Sequence, residues 1–193
     1  MVEDRDSLAR TLLLRLLMGV GVLVATILLG VGVARPAEII PSMGVTKPVD
    51  GDDDARVFAG LAVRAGLAPA LATEIGVGYR SEERFDGALT TRMWPVTASL
   101  WLTPVPALYA GAGVGWYHVT LDADETLAPL AEDETRQEFG VHVGGGLRVP
   151  LAQAAAIDLQ GRYVMMREQE SRLVPERFDP DFWTTSVGLA IRF

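Results

Sequence analysis

YAGAGVGWYH, Tyr109 to His118, carries two interleaved patterns. Every second residue reads Ala110, Ala112, Val114, Trp116 and His118, and the residues between read Tyr109, Gly111, Gly113, Gly115 and Tyr117. A period of two belongs to a β-strand, whose successive side chains point to opposite faces. The stretch FGVHVGGGLRV, Phe139 to Val149, divides the same way, with Phe139, Val141, Val143, Leu147 and Val149 against Gly140, His142, Gly144, Gly146 and Arg148. Residues 157–166 set Ile157, Leu159, Tyr163 and Met165 against Asp158, Gln160 and Arg162. The closing segment sets Trp183, Thr185, Val187, Leu189, Ile191 and Phe193 against Thr184, Ser186, Gly188, Ala190 and Arg192.

Which face meets which solvent decides the class. In a soluble sandwich or a lipocalin-like barrel the apolar parity faces the core, and the other parity is a charged, β-branched surface. Here the second parity is mostly Gly, Ala and Ser with a few charges. It covers a soluble surface poorly and crowds well into a narrow interior. In a transmembrane barrel the order inverts, with apolar residues toward lipid and small or polar ones toward the lumen. Trp94, Trp101, Trp116, Tyr163, Trp183 and Phe193 lie toward segment ends, where interfacial girdles are expected.

The connections alternate. Leu67–Ala70, Thr103–Pro106 and Pro150–Gln153 are short and hold proline, whereas Ser81–Gly87, Asp122–Thr135 and Glu168–Asp181 are longer, polar and rich in acid. Short periplasmic turns alternating with long extracellular loops are what these barrels use. Seven strands follow, at about 55–66, 70–80, 88–102, 107–121, 136–149, 154–167 and 182–193. With the chain end in the periplasm the first of these begins outside the cell, so an outward strand must precede it. Glu38–Lys47 is the candidate, with Ile39, Met43 and Val45 against Ser42, Gly44 and Thr46. Pro41 and Pro48 weaken it but are tolerable near strand ends. The expected fold is all-β: an eight-stranded antiparallel transmembrane up-and-down β-barrel, preceded by an N-terminal signal peptide or anchor helix.

That N-terminal segment is Leu16 to Ala34, uncharged throughout, preceded by Arg5, Arg10 and Arg15 and closed by the small residues Gly32 and Ala34. A positive start, an apolar stretch and a small-x-small ending describe a secretory signal. The same run is long enough to span a bilayer as a retained anchor. The reading divides the chain into 1–34, signal peptide or apolar helix, and 35–193, barrel. Formal net charge is −8 over 193 residues, which argues against nucleic acid as a partner. With no cysteine, disulfides and thiolate metal sites are excluded.

The chain resembles the small outer-membrane β-barrels of the OmpA-like, OmpW-like and opacity-protein group. The resemblance covers Ala37 to Phe193 and rests on residues 109–118, 139–151, 157–165 and 186–193. It implies the outer membrane of a Gram-negative-type bacterium, with outer-membrane lipid and lipopolysaccharide as surroundings. It also implies that Val187, Leu189, Ile191 and the terminal Phe193 form the signal read by the barrel-assembly machinery. Members of the group differ in role, so the architecture leaves function open.

The predicted lumen carries Arg64, Glu74, Glu138, His142, Arg148, Asp158, Arg162 and Arg192. An eight-stranded barrel leaves room for side chains or one small ligand. Buried charges must pair, so one expectation is an ion-pair plug, and the other is a polar path or ligand niche around Gly111, Gly113, Gly115, Gly144 and Gly146. His118 faces lipid beside Trp116. In His118-Val119-Thr120, threonine stands where the His-x-Ser pair of outer-membrane lipid A deacylases has serine, and no partner carboxylate is evident. His142 is read as an interior histidine bonded to a neighbouring carboxylate, since Glu138 lies about 13–14 Å away along the strand, too far to share a metal. Asp50, Asp52 and Asp54 match three EF-hand positions, but Ala55 and Leu61 occupy places that need Gly and Glu. No cofactor and no metal site is expected. The leading functional expectation is a non-enzymatic barrel, structural or interactive through acidic extracellular loops. A narrow pore or carrier for a small solute or apolar ligand stands second, and a lipid-A-modifying enzyme third. The ligand is unknown.

Overall fold

A computed structural model describes residues 37–49, 55–84, 89–123, 134–166 and 181–193. Strands β1 (Ala37–Pro48), β2 (Arg56–Ala68), β3 (Leu71–Arg84), β4 (Leu89–Val105), β5 (Leu108–Ala123), β6 (Glu134–Ala152), β7 (Ala155–Met166) and β8 (Phe182–Arg192) follow one another in sequence. Each pairs antiparallel with the next, and β1 closes onto β8 to complete a barrel. The strand required by topology alone is therefore β1, which pairs with β2 up to Thr46↔Arg56 and with β8 up to Pro48↔Phe182. Pro48 ends β1 as expected, but Pro41 lies within it. Its missing N–H is felt on one side only. Pairing with β2 runs through Pro41↔Leu61, whereas pairing with β8 is interrupted between Ile39↔Ile191 and Ser42↔Gly188. Pro95 does the same to β4, whose ladder with β3 is interrupted between Val77↔Val96 and Arg80↔Met93.

The stagger of the barrel follows from the registers. A row of cross-strand partners leaves β1 at Glu38 and passes through Arg64, Glu74, Ser99, Gly113, His142, Val164 and Phe182. It returns to β1 at Pro48, ten residues further along. With eight strands, that stagger tilts each strand by about 40° and sets a backbone diameter of roughly 16 Å. Side chains alone can fill such an interior.

The three short connections are two-residue turns, at Pro69–Ala70, Pro106–Ala107 and Gln153–Ala154. The first ends where its expected segment ends, and the other two run one residue past theirs. The difference is one extra residue in each incoming strand, seen as register shifts between Gly66 and Ala68, Leu102 and Val105, and Pro150 and Ala152. Such bulges twist the strand ends and tolerate proline. The turn carbonyls are not wasted. Those of Ala70, Ala107 and Ala154 accept the backbone N–H groups of Thr103, Arg148 and Arg192 on the next strand round.

The barrel is inside-out relative to a soluble protein. Leu102 is 60 % exposed and Trp116 56 %, whereas Arg64 is 4 % and Glu74 1 % exposed. Only lipid makes that arrangement favourable. On β5 the outward apolar run from Leu108 to Trp116 is nine residues, the length a tilted strand needs to cross a bilayer. At its extracellular end three aromatic pairs stand on the outer face: Tyr79 with Trp94 at 4.4 Å, Trp116 with Phe139 at 5.4 Å and Tyr163 with Trp183 at 4.7 Å between ring centroids. Trp101 does not belong to this girdle. It is fully buried inside the barrel, because it lies an odd number of residues from Trp94 on the same strand.

Candidate functional site

Apart from Glu138, the sequence-predicted lumen residues converge on the periplasmic and middle part of the interior. Four consecutive strands present an alternating row, in which Arg192, Glu38, Arg64 and Glu74 lie directly opposite one another on β8, β1, β2 and β3. On the other wall Arg148 of β6 faces Asp158 of β7. Opposite charges in direct register attract at the closest cross-strand distance.

Longer contacts then cross the lumen. Arg64 gives Nε to Glu74 Oε2 at 2.8 Å and NH1 to Asp158 Oδ2 at 2.8 Å. Arg162 reaches from β7 to Glu74 Oε1 at 2.5 Å, and Arg148 reaches from β6 to Glu38 Oε2 at 2.6 Å. Tyr109 donates to Asp158 Oδ1 at 2.5 Å and accepts from Gln160 Nε2 at 3.1 Å, while Gln160 Oε1 accepts from Arg162 Nε at 2.8 Å. The aromatic rings finish the packing: the Arg64 guanidinium lies 4.3 Å over Tyr109 and that of Arg162 5.4 Å over Trp101. Arg192 contributes least. It meets Glu38 at 3.2 Å, but its side chain is 49 % exposed at the rim, where water screens the pair.

Arg64, Glu74, Arg148, Asp158, Arg162 and Arg192 thus join one connected network. Glu38, absent from the sequence-based set, is its third carboxylate. Glu138 shares the inward parity but lies opposite Tyr117, toward the extracellular end, and makes no ion pair to the network among the described residues. His142 corrects another expectation. Its Nε2 shares a 2.9 Å hydrogen bond with Ser99 Oγ rather than with a carboxylate.

The inward glycines expected to line a niche serve instead as sockets. A Cβ at Gly113 would lie 2.5 Å from His142 Nε2, and one at Gly115 would lie 2.8 Å from the Tyr117 ring. At Gly146 it would run into the Tyr109 ring, and at Gly144 it would stand 3.1 Å from Arg162 Cγ. Small residues on β5 and β6 therefore let large ones fill the barrel.

On the outer face His118 is exposed, between Trp94 and Gln137 on its neighbouring strands. Thr120 lies opposite Arg92 and Thr135. Val187, Leu189, Ile191 and Phe193 all point outward. The extracellular segments 50–54, 85–88, 124–133 and 167–180, and the apolar segment 1–34, lie outside the described residues.

Solved structures with the same architecture are small bacterial membrane barrels. Neisserial surface protein A superposes with a TM-score of 0.60 at 13 % identity, covering 82 % of this chain and 96 % of that one. The fold is that of a small outer-membrane β-barrel. The barrel is also similar to OprG from Pseudomonas aeruginosa, with a TM-score of 0.57 at 15 % identity over 84 % of this chain and 98 % of that one. Ail, the attachment invasion locus protein of Yersinia pestis, gives 0.55 at 16 % identity over 83 % and 100 %. No protein-family model and no curated protein matches the sequence. The lipid-facing belt and this fold place the barrel in the outer membrane.

Proposed function

We propose that the barrel is a non-enzymatic, non-conducting outer-membrane protein whose working surface is its extracellular end. The observation that carries this reading is the ion-pair network. Arg64, Glu74, Asp158 and Arg162 link opposite walls at 2.5–2.8 Å, so the interior serves as a core and leaves no continuous aqueous path. In the same reading segment 1–34 is the export signal, and Val187, Leu189, Ile191 and Phe193 are presented to the assembly machinery.

The extracellular segments then carry specificity. Residues 122–135 hold six acids and no base, and Asp50, Asp52, Asp53 and Asp54 crowd the segment after β1. Ail has been solved with the heparin analogue sucrose octasulfate, a polyanion. Acidic segments repel such a ligand, so for this chain a basic partner, or lipopolysaccharide bridged by divalent cations, fits the charge. The test is solute efflux from liposomes holding the refolded chain, with folding checked by a heat-dependent change in gel mobility. Retention of ions and small sugars by liposomes carrying folded barrel is the expected result, and rapid efflux would remove the reading.

A further inference from the structure

At the periplasmic end the chain turns three times without a charge. The connections read LAPAL (67–71), TPVPAL (103–108) and PLAQAA (150–155). Turns in water are built mainly from Gly, Asn, Asp, Ser and Pro, most of which present polar groups to solvent. Of that set only proline is used here, and Thr103 and Gln153 are the sole polar side chains. This rim is nonetheless open: Val105 is 46 % exposed, Leu108 51 % and Leu151 58 %. The charged side chains at this end have the inward parity instead, with Arg148 and Arg192 both meeting Glu38.

The backbone of the turns is equally suited to an apolar medium. Pro69, Pro104, Pro106 and Pro150 have no N–H to leave unpaired. The carbonyls of Ala70, Ala107 and Ala154 accept N–H groups from the next strand round at 2.9, 2.7 and 2.8 Å. Bare backbone groups are what keep irregular chain out of lipid, and these turns have already paired several of theirs.

Height gives an independent argument. Ala70 stands nine residues before Tyr79, Ala107 nine before Trp116 and Ala154 nine before Tyr163. At the strand rise and a tilt of about 40°, nine residues climb about 23 Å. The apolar band of such barrels is about 25 Å tall. With the aromatic girdle at its outer edge, all three turns fall inside the band. A second girdle would mark a lower boundary on the strands. Among the described residues, Phe193 is the one outward aromatic at that end.

We propose that the three turns sit in the periplasmic leaflet, where its acyl chains meet the head groups, and that lipid rather than a periplasmic protein covers them. The surface continues the lipid-facing belt without a break, from Leu102 and Leu108 onto Val105 and from Val149 onto Leu151. The assignment is independent of whether the lumen conducts.

The absence of cysteine makes the test direct. Ala70→Cys, Ala107→Cys and Ala154→Cys are each made in the full chain, with Thr135→Cys beyond the girdle as the water-exposed standard. Each is refolded into phosphatidylcholine nanodiscs, which leave both membrane faces accessible, and folding is checked by heat-modifiable mobility. A charged, membrane-impermeant thiosulfonate should modify the turn thiols at least about tenfold more slowly than Thr135→Cys, because a thiol in apolar surroundings holds less of the reactive thiolate. With a small fluorophore on each thiol, lipids brominated on the acyl chain close to the head group should quench the turn probes more than aqueous iodide does. The order should reverse at Thr135→Cys. Should Ala107→Cys not fold, Val105→Cys reports on the same turn. Turn thiols as reactive as Thr135→Cys, with probes quenched mainly by iodide, would overturn the proposal and leave the rim as a surface for a periplasmic protein. Slow reaction without quenching by brominated lipid would also overturn it, since packing alone would then shield the thiols.

Discussion

Replacing Glu74 by alanine isolates the main electrostatic argument. Its carboxylate accepts Arg64 Nε at 2.8 Å and meets Arg162 NH2 at 2.5 Å, and the residue is 1 % exposed. Without it Arg64 keeps Asp158, while Arg162 keeps only Gln160 and Thr97, both neutral. Removing one partner from a buried ion pair costs about 3–5 kcal/mol, because the orphaned charge stays in a low dielectric. Two arginines share this carboxylate, so the upper half of that range is expected. Removing charges in balance should cost less. Arg162→Met introduced into Glu74→Met should restore about 2 kcal/mol, a coupling of the size measured between residues in contact. The assay is urea unfolding of the barrel in lipid vesicles, followed by tryptophan fluorescence and gel mobility, with stability taken by linear extrapolation. A loss below about 1 kcal/mol for Glu74→Ala is the value of an exposed pair. It would mean that water reaches the carboxylate and that the lumen is not sealed.

Further outcomes follow from the same geometry. Gly146→Ala drives a Cβ into Tyr109 and should cost about 2–3 kcal/mol in the same urea assay. Gly161→Ala, whose Cβ would meet nothing nearer than 3.9 Å, should change stability by no more than about 0.5 kcal/mol. Single-tryptophan variants in lipids brominated on their acyl chains should divide the four tryptophans, with Trp94, Trp116 and Trp183 quenched and Trp101 shielded; strong quenching of Trp101 would contradict its place inside. Deleting Phe193 should lower the amount of barrel recovered from the outer-membrane fraction, and unchanged recovery would remove the assembly role given to the terminal residues.

Period two gave the strands because each strand separates lipid from lumen, and that contrast is written into every second residue. It also decided which way His142, Asp158 and Arg192 point. Turn positions were less legible. LAPA, TPVP and PLAQ mark the right places, but the bulge that puts an extra residue in the incoming strand leaves no mark in composition. Trp101 was misplaced for a reason the sequence held: aromatic character suggested a girdle, whereas its parity relative to Trp94 forbids one. Glu38 was missed because its partners come from β2, β6 and β8. Register between distant strands is set by closure of the whole barrel, not by any one segment. Glycine misled in a similar way. On β5 and β6 it makes room for rings from neighbouring positions, so a glycine-rich face there marks filled space. A cavity lies instead by Gly60, Gly76 and Gly78, where the nearest groups are Ser42 Oγ, Thr97 Oγ1 and Pro95 Cγ.

Single-channel recording of the refolded chain in a planar bilayer, beside a variant in which Arg64 and Glu74 are both alanine, tests the sealed lumen most directly. The account predicts no conductance steps from the folded parent chain and discrete steps once that pair is gone. Discrete steps from the parent, in protein whose folding is verified by heat-modifiable mobility, would contradict it.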